Sequence, residues 1–300
     1  MVTPGPTTRR SWLRMFFVGL ALWVATVVIT YLTGNANLIP TIVLLGSFLV
    51  PATFVAWAFE HSHSGEVTGE IVFRTFAVGG VLGVLGASLL ETYLLHPSPW
   101  LFVGVGLIEE AVKLAALALL TRHLAHKSCR DGLVLGASVG FGFAAFESAG
   151  YALMATLTED GLSLLDLVTT ELLRGLLAPF GHGLWTAILG GVLFSRSGRE
   201  HFMLTGRLLW AYLGVSLLHA LWDSTNSIAA LITAVVTGGS WQEHAQLFTV
   251  VTWLGFAAIS VVGVAWLVSL VRASRREFAP VRGYPLRTDA RWWPAGRPPQ

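Results

Sequence analysis

At 300 residues the chain is 54% hydrophobic and only 12% charged, with a mean hydropathy of +0.67. A soluble domain commonly spends about a quarter of its residues on charge, so this composition cannot cover a water-facing surface and the solvent must be largely lipid. Nineteen basic against 17 acidic residues leave a net charge of +2, which argues against a nucleic-acid partner, and the lone Cys129 excludes an intrachain disulfide and any cysteine-based zinc cluster.

The N-terminus opens on Arg9-Arg10-Ser11-Trp12-Leu13-Arg14, a stretch similar to a twin-arginine export signal. The apolar run that follows to about Thr33 is long enough to span a bilayer, and no small-x-small cleavage site closes it, so it reads as a first membrane helix. Further runs of about 20 or more apolar residues lie near 37–59, 70–95, 99–122, 132–157, 169–195, 207–236 and 245–272. The expected fold is therefore all-α, a polytopic transmembrane bundle of about eight helices. It divides into a cytoplasmic basic segment over 1–11, the bundle over 12–272, and a cytoplasmic Arg/Pro-rich tail over 273–300, disordered or interfacial.

Counting gaps alternately from an inner start puts Arg9, Arg10, Arg14, Arg74, Arg122, Lys127, Arg130, Arg196, Arg199, Arg207, Arg272 and the six tail arginines inside. The outer gaps hold Glu159, Asp160, Asp166 and Glu243 instead. This segregation is the positive-inside pattern and predicts a cell-membrane protein with both termini cytoplasmic. In the third span, Gly79, Gly80, Gly83 and Gly86 form a small-residue face for helix packing.

Ionisable groups at membrane depth cost about 2.5–3.5 kcal/mol each on insertion scales and usually mark function. The fourth span carries Glu109, Glu110 and Lys113, the fifth Glu147, the sixth His182, and the seventh His219 and Asp223. At 1.5 Å per residue these fall at similar depth, whereas Glu91, Glu171 and Arg174 lie nearer the outer ends and are expected to snorkel to water. Glu109 and Lys113 are four apart, as are His219 and Asp223, so each pair shares a helix face; Asp223 is expected to receive an imidazole N–H and orient His219. Phe143, also four residues from Glu147, would flank that carboxylate with an aromatic wall, and Lys113 would favour an ionised glutamate ready to act as a base. Gly140 and Gly142, with Gly181 and Gly183, leave room for close helix approach or a substrate backbone.

Taken singly, each feature suits a structural ion pair or a polar clamp between helices. Together, two or more glutamates and two histidines around one cavity can activate water for attack on a carbonyl, or ligate a zinc ion, with Glu147, His182 and His219 as the expected ligands. The sequence has no His-Glu-x-x-His pair, no serine-protease Gly-x-Ser-Gly site in a span, and no pair of intramembrane aspartates on two helices. A proton-coupled transporter using the same buried acids, or a non-catalytic scaffold, are the rival readings; broken helices or inverted repeats would favour transport, and the sequence reads as unbroken spans.

The ordered motifs Glu109-Glu110-Ala111-Val112-Lys113, Phe143-Ala144-Ala145-Phe146-Glu147 and His219-Ala220-Leu221-Trp222-Asp223, with Gly181-His182 between the last two, resemble the PrsW family of intramembrane proteases over about residues 70–236. That family is similar to the wider group of CAAX-processing and bacteriocin-processing membrane proteases. The resemblance implies endoproteolysis of a membrane-linked protein, an anti-sigma factor or similar signalling substrate. It assigns Glu109, Glu110, Glu147, His182, His219 and Asp223 to the catalytic site with Lys113 in support. It also implies either a zinc ion or a mechanism that uses glutamate and histidine alone.

Overall fold

The computed structural model describes residues 10–61, 67–159, 161–197 and 201–277. Arg9, Asp160, Arg199 and the tail past Glu277 lie outside the described residues, with the expectations placed on them. Among the described residues the chain forms ten α-helices and one two-stranded ribbon. In order these are α1 (Ser11–Thr33), α2 (Ile39–His61), α3 (Gly69–Leu94), α4 (Leu101–Thr121), α5 (Cys129–Thr156), the antiparallel β1 (Leu157–Thr158) and β2 (Gly161–Leu162), then α6 (Leu164–Leu177), α7 (His182–Ser195), α8 (Gly206–Asp223), α9 (Thr225–Thr237) and α10 (Ala245–Glu277).

Local chemistry sets these boundaries. The side chains of Thr68, Ser128, Ser163 and Thr205 each accept a hydrogen bond from a backbone N–H in the first turn of α3, α5, α6 and α8, satisfying donors that a helix start leaves open. Gly34 and Gly238 end α1 and α9 in the left-handed region at φ 64° and 69°, a conformation glycine adopts without a Cβ penalty.

The all-α membrane bundle is as expected, and six of the eight predicted spans each return as one helix. The sixth and seventh return as pairs, so the unbroken reading is corrected there and no longer counts against transport. Pro179 lacks the N–H that a continuing helix would use, and Ala178–Phe180 tighten into a 3-10 turn before α7 restarts at His182. Between α8 and α9, Ser224 Oγ donates to the Ala220 carbonyl at 2.6 Å and Thr225 Oγ1 to that of Leu221 at 2.8 Å. Such back-bonding competes with the helical ladder.

Among the described residues, six helical stretches are long and apolar enough to cross a membrane. Among the predicted spans, α4 and α8 do not meet that standard, and they carry Glu109, Glu110 and Lys113, and Arg207, His219 and Asp223. The chain is a multi-pass membrane protein. Of the apolar stretch of α5, 72% is buried, and 67% of Leu164–Ser195, against 11% for α1 and α10. The centre is thus α5 and α7, and the lipid-facing rim is α1 and α10.

Glycines let the central helices meet backbone to backbone. A Cβ on Gly132, Gly136 or Gly140 of α5 would run into the carbonyl oxygens of Gly190, Thr186 and His182 of α7. One on Gly142 would strike the Phe76 carbonyl of α3, and one on Gly80 the backbone of Gly142. This small-residue register gives the expected packing role to Gly80 and fixes the height of His182 against α5.

Candidate active site

Four helices deliver the site. Spacings of three and four residues in α4 bring Glu110 and Glu109 to Lys113, because residues so spaced are neighbours on a helix. Lys113 is fully buried; its Nζ donates to Glu110 Oε1 at 2.6 Å and Glu109 Oε2 at 3.2 Å, and lies 4.2 Å from the Phe143 ring centroid. The predicted Glu109–Lys113 pair therefore forms, and Phe143 covers the ammonium as well as walling the site near Glu147.

The imidazoles fall on either side of this cluster. Lys113 Nζ is 2.9 Å from His182 Nδ1. An ammonium only donates, so Nδ1 accepts and the ring proton sits on Nε2, which donates to Glu147 Oε2 at 3.0 Å. His219 Nδ1 is 3.0 Å from Glu110 Oε1, and the carboxylate accepts; Nε2 lies 3.6 Å from Glu109 Oε2 and 3.4 Å from Asp223 Oδ2, which it can face only as an N–H donor or with a cation between them. Glu110 is thus the carboxylate nearest an N–H of His219, with Asp223 beside the other nitrogen. The two rings stand edge to face with centroids 5.0 Å apart, and Trp185 packs against both, 5.4 Å from His182 and 4.7 Å from His219.

Two cavities meet at this cluster. The larger, about 360 Å³, is lined by Glu91, Phe102, Glu109, Phe143, Glu147 and Asp223 among others. The smaller, about 110 Å³, is lined by Glu147, Ser148, Arg174, Gly181, His182 and Asp223 among others. Glu147, Tyr151 and Asp223 border both. Glu110, Lys113 and His219 border neither and lie behind, with His219 only 1% exposed. The breaks at Ala178–Gly181 and after Asp223 both abut the smaller cavity. Irregular backbone at membrane depth is tolerated where it lines a wet hollow.

The geometry suits a metal with a different third ligand from the one expected. Glu109, His182 and His219 each offer one ligand atom, and these atoms lie within 4.8 Å of one another. One carboxylate and two imidazoles are a zinc-type donor set, and Glu110 on Nδ1 of His219 is the outer partner such a ligand needs. The donor atoms on Glu109 and His182 also accept from Lys113 Nζ, which an ion would have to displace, and Glu147, expected as a ligand, has its Oε2 accepting from His182 and, at 2.5 Å, from Arg174 Nη2.

Three residues read as snorkelling instead turn inward. Arg174 reaches Glu147, Glu91 borders the larger cavity, and Glu171 is 5% exposed, its Oε2 accepting from Trp23 Nε1 at 2.6 Å. Trp185, against both imidazoles, was not singled out by its sequence; an aromatic one turn from a histidine in an apolar helix carries no distinguishing signal. Arg174 did carry one, as a lone basic residue in an otherwise apolar stretch.

Residues 67–259 match the sequence model of the PrsW family intramembrane metalloprotease. A curated relative, Protease PrsW of Halalkalibacterium halodurans, is 28% identical over 191 residues, which cover 60% of this chain and 82% of the relative. No solved structure matches the chain. The matched span runs from the approach to α3 into α10 and includes every acid and imidazole gathered at the two cavities, and on that ground the chain belongs to the PrsW family of intramembrane proteases.

Proposed function

We propose that this chain hydrolyses a peptide bond in a membrane-anchored protein at the cluster of Glu109, Glu147, His182 and His219, with signalling proteins such as an anti-sigma factor as the substrate class. The observation that carries the reading is the convergence of donor atoms from Glu109, His182 and His219 within 4.8 Å, with Glu109 and His182 at cavity walls. Without a bound ion, Glu109, which faces the larger cavity, serves as the base that takes a proton from the attacking water. Glu110, sealed behind it, holds His219 by Nδ1 and so presents the Nε2 lone pair. Lys113 balances the two glutamates, Asp223 stands beside His219 Nε2, and Glu147 holds the His182 ring by its N–H.

Glu109, His182 and His219 would hold a divalent ion, zinc by the chemistry of the set, and when bound it supplies a water acidic enough to lose its proton near neutral pH. The metal-free alternative keeps Glu109 as base and uses Nε2–H of protonated His219 as donor to the oxyanion.

The larger cavity is bordered by Glu91 near the end of α3, Phe102 at the start of α4 and Tyr151 near the end of α5. On the charge-segregation argument these are outer ends, with both termini cytoplasmic in the cell membrane. Water therefore enters from outside, and the scissile bond lies in the outer half of the substrate's span.

The test uses the full chain in proteoliposomes with a single-span reporter tagged on both sides. Glu110→Gln and His219→Ala should abolish cleavage while leaving membrane insertion intact, and mass spectrometry should place the cut in the outer half of the span. Chelation should stop cleavage and zinc restore it. Cleavage at the wild-type rate by either variant removes the site assignment; cleavage indifferent to chelation selects the metal-free route.

A further inference from the structure

Arg174 of α6 belongs to none of the three motifs, yet it is held as closely as any of their side chains. Its Nη2 donates to Glu147 Oε2 at 2.5 Å, its Nε donates to Ser148 Oγ at 2.8 Å, and its guanidinium carbon lies 4.3 Å from the Tyr151 ring centroid. Glu147, Ser148 and Tyr151 occupy one face of α5, so a single helix surface grips the guanidinium on two edges and a flat side. A planar fork makes these contacts on two separate edges and a face, where a lysine would offer one compact ammonium.

The arrangement has a consequence for the imidazole. Glu147 Oε2 accepts from Arg174 and from His182 Nε2 at 3.0 Å. Both members of the ion pair border the smaller cavity, with side chains 28% and 21% exposed. A glutamate beside a void has rotamers to spare, and holding one of them costs side-chain entropy. Arg174 removes that freedom. Its own helix is anchored one turn earlier, where Glu171 accepts from Trp23 of α1 and from Ser47 of α2 at 3.4 Å. Both anchors lie outside the matched residues 67–259.

We propose that Arg174 is a positioning residue for hydrolysis: it locks the Glu147 carboxylate onto His182 Nε2 and so sets the plane of the imidazole, without touching the scissile bond. This rests on the reading that Glu147 and His182 serve the hydrolytic centre.

The test compares full-length Arg174→Gln, Arg174→Lys and Glu147→Gln in proteoliposomes with the tagged reporter, alongside thermal unfolding and 15N-imidazole NMR of His182, assigned through His182→Gln. Misplacing a catalytic group by about an ångström costs up to about a hundredfold in rate. Arg174→Gln should therefore lower kcat about tenfold to a hundredfold, with KM within about twofold, and should shift the His182 Nε2 resonance. Arg174→Lys should recover part of kcat. Wild-type kcat in Arg174→Gln with Glu147→Gln inactive overturns the proposal alone. A rate loss that tracks a fall in unfolding temperature, with the His182 resonance unmoved, makes Arg174 merely structural and also overturns it. Wild-type cleavage by Glu147→Gln sinks both the proposal and the role given to Glu147.

Discussion

Glu110 and Glu171 are both buried carboxylates in apolar helices, and their neighbours differ in kind. Glu110 meets an ammonium at 2.6 Å and an imidazole at 3.0 Å, behind a cavity wall and next to further ionisable groups. Glu171 meets an indole N–H at 2.6 Å and a hydroxyl at 3.4 Å, beside a void of only about 10 Å³. The first environment can move protons and hold a cation; the second can only fasten helices together. A buried acid in a membrane span is therefore not in itself a sign of chemistry: what distinguishes the two is ionisable company.

That contrast predicts a graded set of responses. The largest belongs to the Glu110 cluster: Glu110→Gln and His219→Ala should each lower reporter cleavage by about a hundredfold or more, measured as product per minute at equal protein. Lys113→Met should come next, because it leaves carboxylates buried without their cation, a change that costs about 3–5 kcal/mol. Its thermal unfolding in detergent should drop sharply, and the double variant Lys113→Met with Glu110→Gln should regain much of that stability but no cleavage. Full cleavage by the double variant would erase the distinction drawn here. Gly140→Ala sharpens it from the packing side. The new methyl would meet the His182 carbonyl, so both unfolding temperature and cleavage should fall, whereas Gly150→Ala, with open space around it, should change neither. The smallest effect falls on the fastening group. Glu171→Gln keeps an acceptor for Trp23, while its amide N–H can donate to the Ser47 hydroxyl in place of the 3.4 Å contact made there now, and should cost no more than about 1 kcal/mol, with cleavage unchanged. A hundredfold loss there would move Glu171 into the reacting centre.

Much of this was legible before any coordinates. Hydropathy located the spans, and a rise of 1.5 Å per residue put Glu109, Glu147, His182 and His219 at one depth. The four-residue spacing of Glu109 and Lys113 foretold their contact because both lie on one helix. The contacts that escaped join distant segments: Glu147 with Arg174, 27 residues apart, and Trp23 with Glu171, 148 apart. They depend on how each helix is rotated about its axis, which spacing along one strand of sequence does not encode. Rotation also explains why Glu109 rather than Glu147 completes the group with the two imidazoles. Pro179 was visible as a residue, yet an apolar run with one proline reads equally as a kinked span, and the break at Ser224 had no stronger signal than a serine beside a threonine.

The meshing of Gly132, Gly136 and Gly140 with Gly190, Thr186 and His182 has a mechanical corollary. Two helices whose main chains interlock at three consecutive turns cannot slide or roll past each other without collision, so they behave as a keyed shaft. Any widening that admits a substrate segment must then be supplied by helices outside that shaft.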